Sequence, residues 1–171
     1  MAAVDYAHPW DRLISEFKYR DGLELGPALC DLLLAAHQRT HHHHGGEAAD
    51  WLLPVPLAMQ RWRERGYNQS WELARRCAPR LGCPADPAVL LRIRDTPHQL
   101  SLPREQRQAN VRGAFAIEPA RRREVAGRRI ALIDDVMTTQ ATADELSRLL
   151  LDAGAHSVQV WVVARTPLHP H

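Results

Sequence analysis

The sequence has 171 residues, of which 45% are apolar and 25% are charged, and its formal net charge is +2. These values are those of an ordinary soluble globular protein, and they predict a single domain over residues 1–171. Three cysteines without a Cys-x-x-Cys pair argue against a disulfide scaffold or a zinc ribbon. No signal peptide and no membrane-spanning run is visible, so we expect a cytoplasmic protein.

Positive charge is unevenly distributed along the chain. Residues 61–76 contain five arginines and two glutamates, a local balance of +3, and Lys18 is the only lysine of the chain. The planar guanidinium of arginine suits phosphate and carboxylate recognition. A GC-rich genome would produce the same preference for arginine, and the sequence leaves both explanations open.

The first half of the chain begins with two helical patterns and a strand. Apolar residues at i, i+3, i+4 and i+7 predict a helix over 9–19, and a second helical pattern runs from Leu25 to Ala36. A polar, glycine-containing loop is predicted over 38–50, followed by a short apolar strand over 51–57. The run His41–His44 could bind a transition metal, but its polar surroundings favour a solvated loop.

The second half continues the alternation of strands and helices. Its predicted elements are a helix over 67–81, a strand over 88–94, an exposed loop over 95–112, a basic turn over 121–129, a strand over 130–133, a helix over 141–153 and a strand over 157–164. Such alternation predicts an α/β fold, with a mostly parallel central sheet and helices on both faces.

The main candidate binding residues lie in one segment, RIALIDDVMTTQATADEL at 129–146. Asp134 and Asp135 follow an apolar strand, and the hydroxyl-rich loop 138–142 leads into a helix N-terminus, where backbone amides favour an anion. Carboxylates accept hydrogen bonds from sugar hydroxyls, and the backbone amides donate hydrogen bonds to a phosphate. Ribose 5-phosphate is the simplest ligand that satisfies both. Paired acids also bind Mg²⁺ directly, and a hydroxyl-rich helix start is also a good N-cap.

These residues resemble a known signature. The apolar strand followed by Asp-Asp and Thr-Thr-x-Ala-Thr is similar to the phosphoribosyl-pyrophosphate (PRPP) motif of type I phosphoribosyltransferases. Four further segments, RLISEFKYRDG, LLPVPLAMQRWRERGYNQSWELA, TPHQLSLPREQRQANVRGAF and LLDAGAHSVQVWVVAR, resemble ComF-type competence proteins of the GntX-like branch, in the same order. The resemblance covers nearly the whole chain, and its most specific parts are the segment 65–69 and the spacing of Gln99, Arg104, Arg107 and Asn110.

The resemblance implies a type I phosphoribosyltransferase fold with a small flap or hood, and a role for each matching residue. Asp134 and Asp135 would be catalytic and would hold the ribose hydroxyls, partly through Mg²⁺. Residues 95–112 would form a flexible flap over the reacting centre. The other implied sets are Thr138, Thr139, Gln140, Ala141 and Thr142 for the 5′-phosphate, Pro56, Arg61 and Arg65 for the pyrophosphate, and Gln99, Arg104, Arg107 and Asn110 for the flap.

The chain departs from the family pattern in two ways. Family members usually begin with a cysteine-rich zinc-binding segment, which this sequence lacks, so it is either a short form or its true start lies upstream. Gln140 also stands where the phosphate loop normally has glycine, and it would cost roughly 1 kcal/mol if the turn must be left-handed. Its amide would then reach the phosphate or block the pocket, and we expect weaker PRPP binding than in a Gln140→Gly variant.

Two functions are therefore in competition. The first is a Mg²⁺-dependent phosphoribosyltransferase that transfers ribose 5-phosphate from PRPP to an unidentified nitrogenous acceptor. The second is a non-catalytic protein that senses PRPP and handles single-stranded DNA with the competence machinery. For it, arginines would line a phosphate-tracking groove beside Trp62, Tyr67 and Trp71. A receiver-like domain whose acids bind only Mg²⁺ would leave the other matching segments unexplained.

Overall fold

A computed structural model describes residues 1–44, 47–94 and 111–167. Its elements in chain order are β1 (Ala2–Asp5), α1 (Trp10–Phe17), a 3₁₀ helix (Arg20–Leu25), α2 (Gly26–His44), β2 (Trp51–Pro54), α3 (Met59–Arg65), α4 (Gln69–Leu81), β3 (Leu90–Arg92), β4 (Phe115–Ile117), a second 3₁₀ helix (Pro119–Val125), β5 (Arg129–Met137), α5 (Ala141–Asp152) and β6 (Ser157–Arg165). The central sheet has the order β1–β6–β5–β2, and all its neighbouring strands are parallel. Strands β3 and β4 form a separate antiparallel pair.

The core lies on both faces of the central sheet, because side chains along β5 alternate between the faces. Ala131 and Ile133 belong to a cluster with α1, α2 and α4, whereas Ile130 and Leu132 belong to a second cluster with α5 and the β3–β4 pair. All four side chains are fully buried. A strand covered on both faces is expected to be a continuous apolar run, as Ile130–Ile133 is. The predicted α/β architecture is thus confirmed.

The predicted loop over 38–50 is wrong in its first part, because α2 continues to His44. The Thr40 hydroxyl donates a hydrogen bond to the Ala36 carbonyl at 2.9 Å. The ring of His37 packs on Trp161 of β6 with a centroid distance of 4.2 Å. This contact fixes α2 on the sheet just before the polar segment begins, and local composition could not reveal it. No group of three or more potential metal ligands occurs among the described residues.

Several strand boundaries also differ from the predictions. Strands β1 and β4 were not predicted, since each is short and depends on pairing with a distant segment. Strand β2 ends at Pro54, and the strand predicted over 88–94 is confined to Leu90–Arg92. The basic turn predicted over 121–129 is largely a 3₁₀ helix. In all these cases the partner strand or the packing, rather than the local pattern, sets the boundary.

Strand β5 is longer than the predicted strand over 130–133. It passes through Asp134 to Met137, because β6 continues to pair with it after β2 has stopped. The last residue of β2, Pro54, lies opposite Ile133. The two aspartates therefore project beyond the end of β2 rather than lying in a loop after β5.

The connections after β2 and β5 leave the sheet in opposite directions. The chain after β2 returns as α4 on one face, and the chain after β5 returns as α5 on the other. Such a switch between neighbouring parallel strands opens a crevice at their carboxyl ends, where α/β proteins bind ligands. Within the described ranges, no helix has both the length and the apolar character needed to cross a membrane.

Candidate functional site

A cleft of about 260 Å³ occupies the crevice between the ends of β2 and β5. Eight of the residues predicted from the sequence line it, namely Pro56, Arg61, Arg65, Asp134, Asp135, Thr138, Thr139 and Thr142. Gln140 and Ala141 are not among the lining side chains. The predicted flap residues Gln99, Arg104, Arg107 and Asn110 lie outside the described part of the chain, so their role stays a prediction.

The two aspartates are held differently. Asp134 Oδ1 accepts hydrogen bonds from Ser70 Oγ at 2.8 Å and from the backbone amide of Asp135 at 2.9 Å. Asp135 Oδ1 accepts from the amide of Val136 at 2.7 Å. Burial and the neighbouring Asp135 carboxylate raise the pKa of Asp134 to about 7. A cation bound beside the two carboxylates would favour the charged form of Asp134.

Two buried side-chain oxygens at the end of β5 and in the loop after it lack a hydrogen-bond partner among the described residues. They are Asp135 Oδ2 and Thr139 Oγ1. The ammonium group of Lys18 lies 3.7 Å from Asp135 Oδ2, within reach of an ion pair but too far for a hydrogen bond. Buried polar groups are normally satisfied. An acceptor and a hydroxyl on the same wall are therefore available to a polar ligand.

The start of α5 forms a side of the cleft that is rich in hydrogen-bond donors. Its first amides have no acceptor within the helix, and the helix dipole favours an anion there. The side chains of Thr138, Thr139 and Thr142 line the same wall. Hydroxyl and amide donors therefore follow the acids along the chain, in the order predicted from the sequence.

The strain expected at Gln140 is not present. Gln140 has φ −75° and ψ −9°, an ordinary right-handed conformation, and no described residue other than glycine has positive φ. Its side chain is exposed, and its carbonyl accepts from the amide of Asp144 at 2.8 Å. Because the turn is not left-handed at this position, glutamine carries no backbone strain here. Backbone strain gives no reason to expect tighter PRPP binding in Gln140→Gly.

Positive charge lines the cleft beyond the predicted arginines. Lys18 and Arg92 join Arg61 and Arg65, so four cationic side chains face two carboxylates, a balance of +2. The predicted PRPP site did not include Lys18 or Arg92, because one lies at the end of an amphipathic helix and the other in a short strand. Their approach to the cleft depends on the tertiary fold.

The N-terminus of α4 connects the walls of the cleft through three buried polar residues. Asn68 caps α4 by accepting from the amide of Ser70 at 2.9 Å, and its Nδ2 donates to the carbonyl of Val55 at 3.0 Å. Gln69 accepts from Arg65 at 3.1 Å, while Ser70 binds Asp134. These contacts give Arg65, Asn68 and Gln69 of the segment 65–69 defined structural roles at the cleft. A run of polar residues opening an apolar helix was the available signal for the roles of Gln69 and Ser70.

Comparison with known proteins reveals close relatives. DNA utilization protein YhgH from Salmonella typhimurium and its counterpart from Escherichia coli K12 are each 36% identical to the chain over 166 residues, covering 97% of it and 71% of the relative. Competence protein F from Haemophilus influenzae is 35% identical over 163 residues, covering 94% and 69%. The chain belongs to the ComF family. No protein-family model matches this ComF-family chain.

Two solved structures share the fold of this ComF-family chain. The allosteric regulatory enzyme of purine biosynthesis aligns with a TM-score of 0.50 and 21% identity, covering 87% of the chain. Glutamine PRPP amidotransferase from B. subtilis, complexed with ADP and GMP, aligns with a TM-score of 0.51 and 22% identity, covering 86%. The chain spans only 30% of either structure. The likeness shows that the ComF-family chain has a phosphoribosyltransferase fold.

Proposed function

We propose that this ComF-family protein binds PRPP in the cleft and transfers its ribose 5-phosphate to a nitrogenous acceptor. The observation that carries the proposal is the placement of Asp134 and Asp135, the hydroxyl-rich start of α5 and a group of cations around one cleft. A ligand with sugar hydroxyls, a terminal phosphate and a diphosphate matches these three surfaces. The balance of +2 in the lining favours a strongly anionic ligand.

The sugar and the 5′-phosphate are assigned to neighbouring parts of one wall. The aspartates accept hydrogen bonds from the ribose hydroxyls, and the open Asp135 Oδ2 is available for one of them. The backbone of 138–142 and the open hydroxyl of Thr139 donate to the phosphate. These two groups are attached to the same ring in ribose 5-phosphate. One molecule can therefore use both contacts.

Mg²⁺ fits this site only as a partner of the ligand. Asp134 and Asp135 offer oxygen ligands, but no third protein carboxylate joins them among the described residues. Mg²⁺ commonly uses one or two carboxylates and completes its octahedron with substrate phosphate and water. When bound, the ion would neutralise charge on the leaving diphosphate. The proposed Mg²⁺ ligands are Asp134 and Asp135, directly or through water.

Arg61 and Arg65 are assigned to the leaving group. In the transfer, the C1′–N bond to the acceptor forms, and the C1′–O bond breaks with its electron pair leaving on pyrophosphate. The proton of the acceptor nitrogen passes to solvent. Negative charge grows on the pyrophosphate, so fixed cations that face it lower the barrier. Arg65 is suited to this role because Gln69 holds its guanidinium at 3.1 Å.

The test is pyrophosphate release from PRPP and Mg²⁺ in the presence of a panel of bases and amines. We expect release by the wild-type protein with at least one acceptor. The Asp134→Ala and Asp135→Ala variants, checked by circular dichroism for a retained fold, are expected to lose at least about 100-fold of this activity. Wild-type release no greater than that of the variants would refute the transferase proposal.

The second candidate, a non-catalytic PRPP-sensing protein that binds single-stranded DNA with the competence machinery, is favoured by one feature of α3. Trp62 exposes 47% of its surface and is flanked in sequence by Arg61 and Arg63. An exposed aromatic ring among arginines suits base stacking with backbone contacts. The names of the relatives, DNA utilization protein and competence protein, agree with a DNA ligand. Trp71 instead packs against the core, and the Tyr67 hydroxyl binds backbone carbonyls.

Binding of a fluorescent oligothymidylate tests this candidate. We expect Trp62→Ala to weaken binding by about 10-fold, the usual loss for one stacked base. The affinity should also fall steeply as salt is raised. The matched control is Leu151→Ala on α5, which removes another exposed apolar side chain. Equal affinities of the two variants, or binding that does not respond to salt, would argue against a stacking surface on α3.

A further inference from the structure

Lys18 is one of two cations of the cleft, with Arg92, that the proposed function leaves unassigned. It follows the last residue of α1, its side chain is 23% exposed, and its ammonium lies 3.7 Å from Asp135 Oδ2. The ammonium is also 5.9 Å from the centroid of the Tyr6 ring, which lines the same cleft. Every other basic side chain of the lining is an arginine. A compact ammonium with three rotatable donors can serve a carboxylate and a ligand oxygen together.

The backbone around Lys18 is anchored by the segment that opens α4. Three consecutive carbonyls accept hydrogen bonds from it. The Tyr67 hydroxyl donates to Phe17 O at 2.5 Å and also to Tyr19 O, and Gln69 Nε2 donates to Lys18 O at 3.2 Å. Burial raises the pKa of Tyr67, so its hydroxyl keeps the proton that these contacts need. The end of α1 is therefore held in place at the cleft.

The same anchor connects Lys18 to the arginine side of the cleft. Gln69 donates to the carbonyl of Lys18 and accepts from the guanidinium of Arg65 through one side-chain amide. Two cations are thus positioned by one buried residue, which is 2% exposed. Both cations line the same cleft, and an anion that contacts both would offset their charges. Asp135 faces one of the two at 3.7 Å, which leaves room for a second anionic partner.

We propose that Lys18 is a ligand-binding residue of the cleft, contacting a diphosphate oxygen together with Arg65 while its charge offsets that of Asp135. This inference rests on the proposed PRPP function and adds a subsite to it. A diphosphate is the ligand class, because it offers adjacent anionic oxygens to two cations that the protein holds separately. The hydroxyl-rich wall at 138–142 remains assigned to the 5′-phosphate of PRPP.

The first test compares two fragments of the ligand by calorimetry, inorganic pyrophosphate and ribose 5-phosphate. We expect Lys18→Met to weaken pyrophosphate binding by about 10-fold and to change ribose 5-phosphate binding by less than about 2-fold. Methionine keeps the apolar stem while removing the charge. The control is Arg12→Met on the same helix, which removes an exposed charge that is paired with Glu16. It should leave both affinities unchanged.

The second test uses the fact that Lys18 is the only lysine of the chain. Acetylation of the folded wild-type protein with an amine-reactive ester, followed by peptide mass spectrometry, reports on Lys18 separately from the N-terminal amine. We expect pyrophosphate to slow the acetylation of Lys18 by at least about 5-fold and ribose 5-phosphate to leave it unchanged, because a bound anion holds and shields the ammonium.

The outcomes separate this inference from the proposed function. Unchanged pyrophosphate binding in Lys18→Met, or equal loss of both fragments, overturns the Lys18 subsite while leaving PRPP binding in place. Acetylation of Lys18 at the same rate with and without bound pyrophosphate overturns it as well. If PRPP, pyrophosphate and ribose 5-phosphate all fail to bind the wild-type protein, both the subsite and the proposed function are refuted.

Discussion

Asn68→Ala is expected to lower the free energy of unfolding by about 3 kcal/mol and to weaken PRPP binding. The substitution removes the cap of α4, which is worth about 1–2 kcal/mol. It also leaves the carbonyl of Val55 without its partner, at a further cost of about 1–2 kcal/mol. The ligand effect follows because Gln69 and Ser70 occupy the first turn of α4 and hold Lys18, Arg65 and Asp134.

Urea unfolding and PRPP calorimetry on the same variants check this expectation. Gln60→Ala is the matched control, since it removes an exposed amide of α3 that binds only Glu64 in its own helix, and it should change stability by less than about 0.5 kcal/mol. Asn68→Asp separates the two roles, because it keeps the capping oxygen but replaces the donor that faces Val55. An Asn68→Ala variant as stable as Gln60→Ala would contradict the assigned role of this residue.

Asp134→Asn is expected to stabilise the ligand-free protein by about 2 kcal/mol near pH 8, and by much less near pH 5. The pKa of Asp134 is raised to about 7 in the folded protein, chiefly by burial, whereas the unfolded value is 3.8. Between these values the folded state holds a proton that the unfolded state releases. Wild-type stability therefore falls as the pH rises through this window, and asparagine does not titrate.

The magnitude follows from the size of the shift. A pKa raised from 3.8 to about 7 corresponds to about 4 kcal/mol, and we expect about 2 kcal/mol because the partly buried side chain faces an open cleft, where solvent screens its charge. Asparagine keeps an Oδ1 that can accept from Ser70 and from the amide of Asp135, so the local geometry is retained.

Thermal unfolding across this pH range, with a chelator present to remove divalent cations, measures the effect. The control is Asp152→Asn, an exposed aspartate near the far end of α5 that pairs with Arg148. The stability difference between wild type and control should stay constant with pH. Parallel pH profiles for wild type and Asp134→Asn would show that burial does not hold a proton on Asp134.

Much of the fold could be predicted from the sequence because it depends on local periodicity. Four consecutive apolar residues, Ile130–Ile133, require a strand covered on both faces, and the apolar stripe of 67–81 requires an amphipathic helix. Asp134 and Asp135 follow the apolar run directly. Their position at the carboxyl end of the sheet therefore needed no tertiary information.

The tertiary structure decided where several elements end and which conformation Gln140 adopts, and the local sequence pattern does not contain this information. Helix α2 continues to His44 beyond the contact of His37 with Trp161, and β5 extends to Met137 because β6 continues beside it. Gln140 adopts a right-handed backbone conformation, so the strain expected from glutamine in place of glycine does not arise.

The positions of the aspartates and of the hydroxyl-rich loop could be predicted from the sequence itself, since they follow a recognisable strand directly, whereas the arginines of α3 were assigned through the family resemblance. The placement of Lys18 beside Asp135, and of Ser70 against Asp134, was decided only by the tertiary structure. Both contacts join segments far apart in the chain, and both depend on the buried polar start of α4. A pattern of neighbours along the sequence contains no information on such contacts, because they arise from how the helices pack on the sheet.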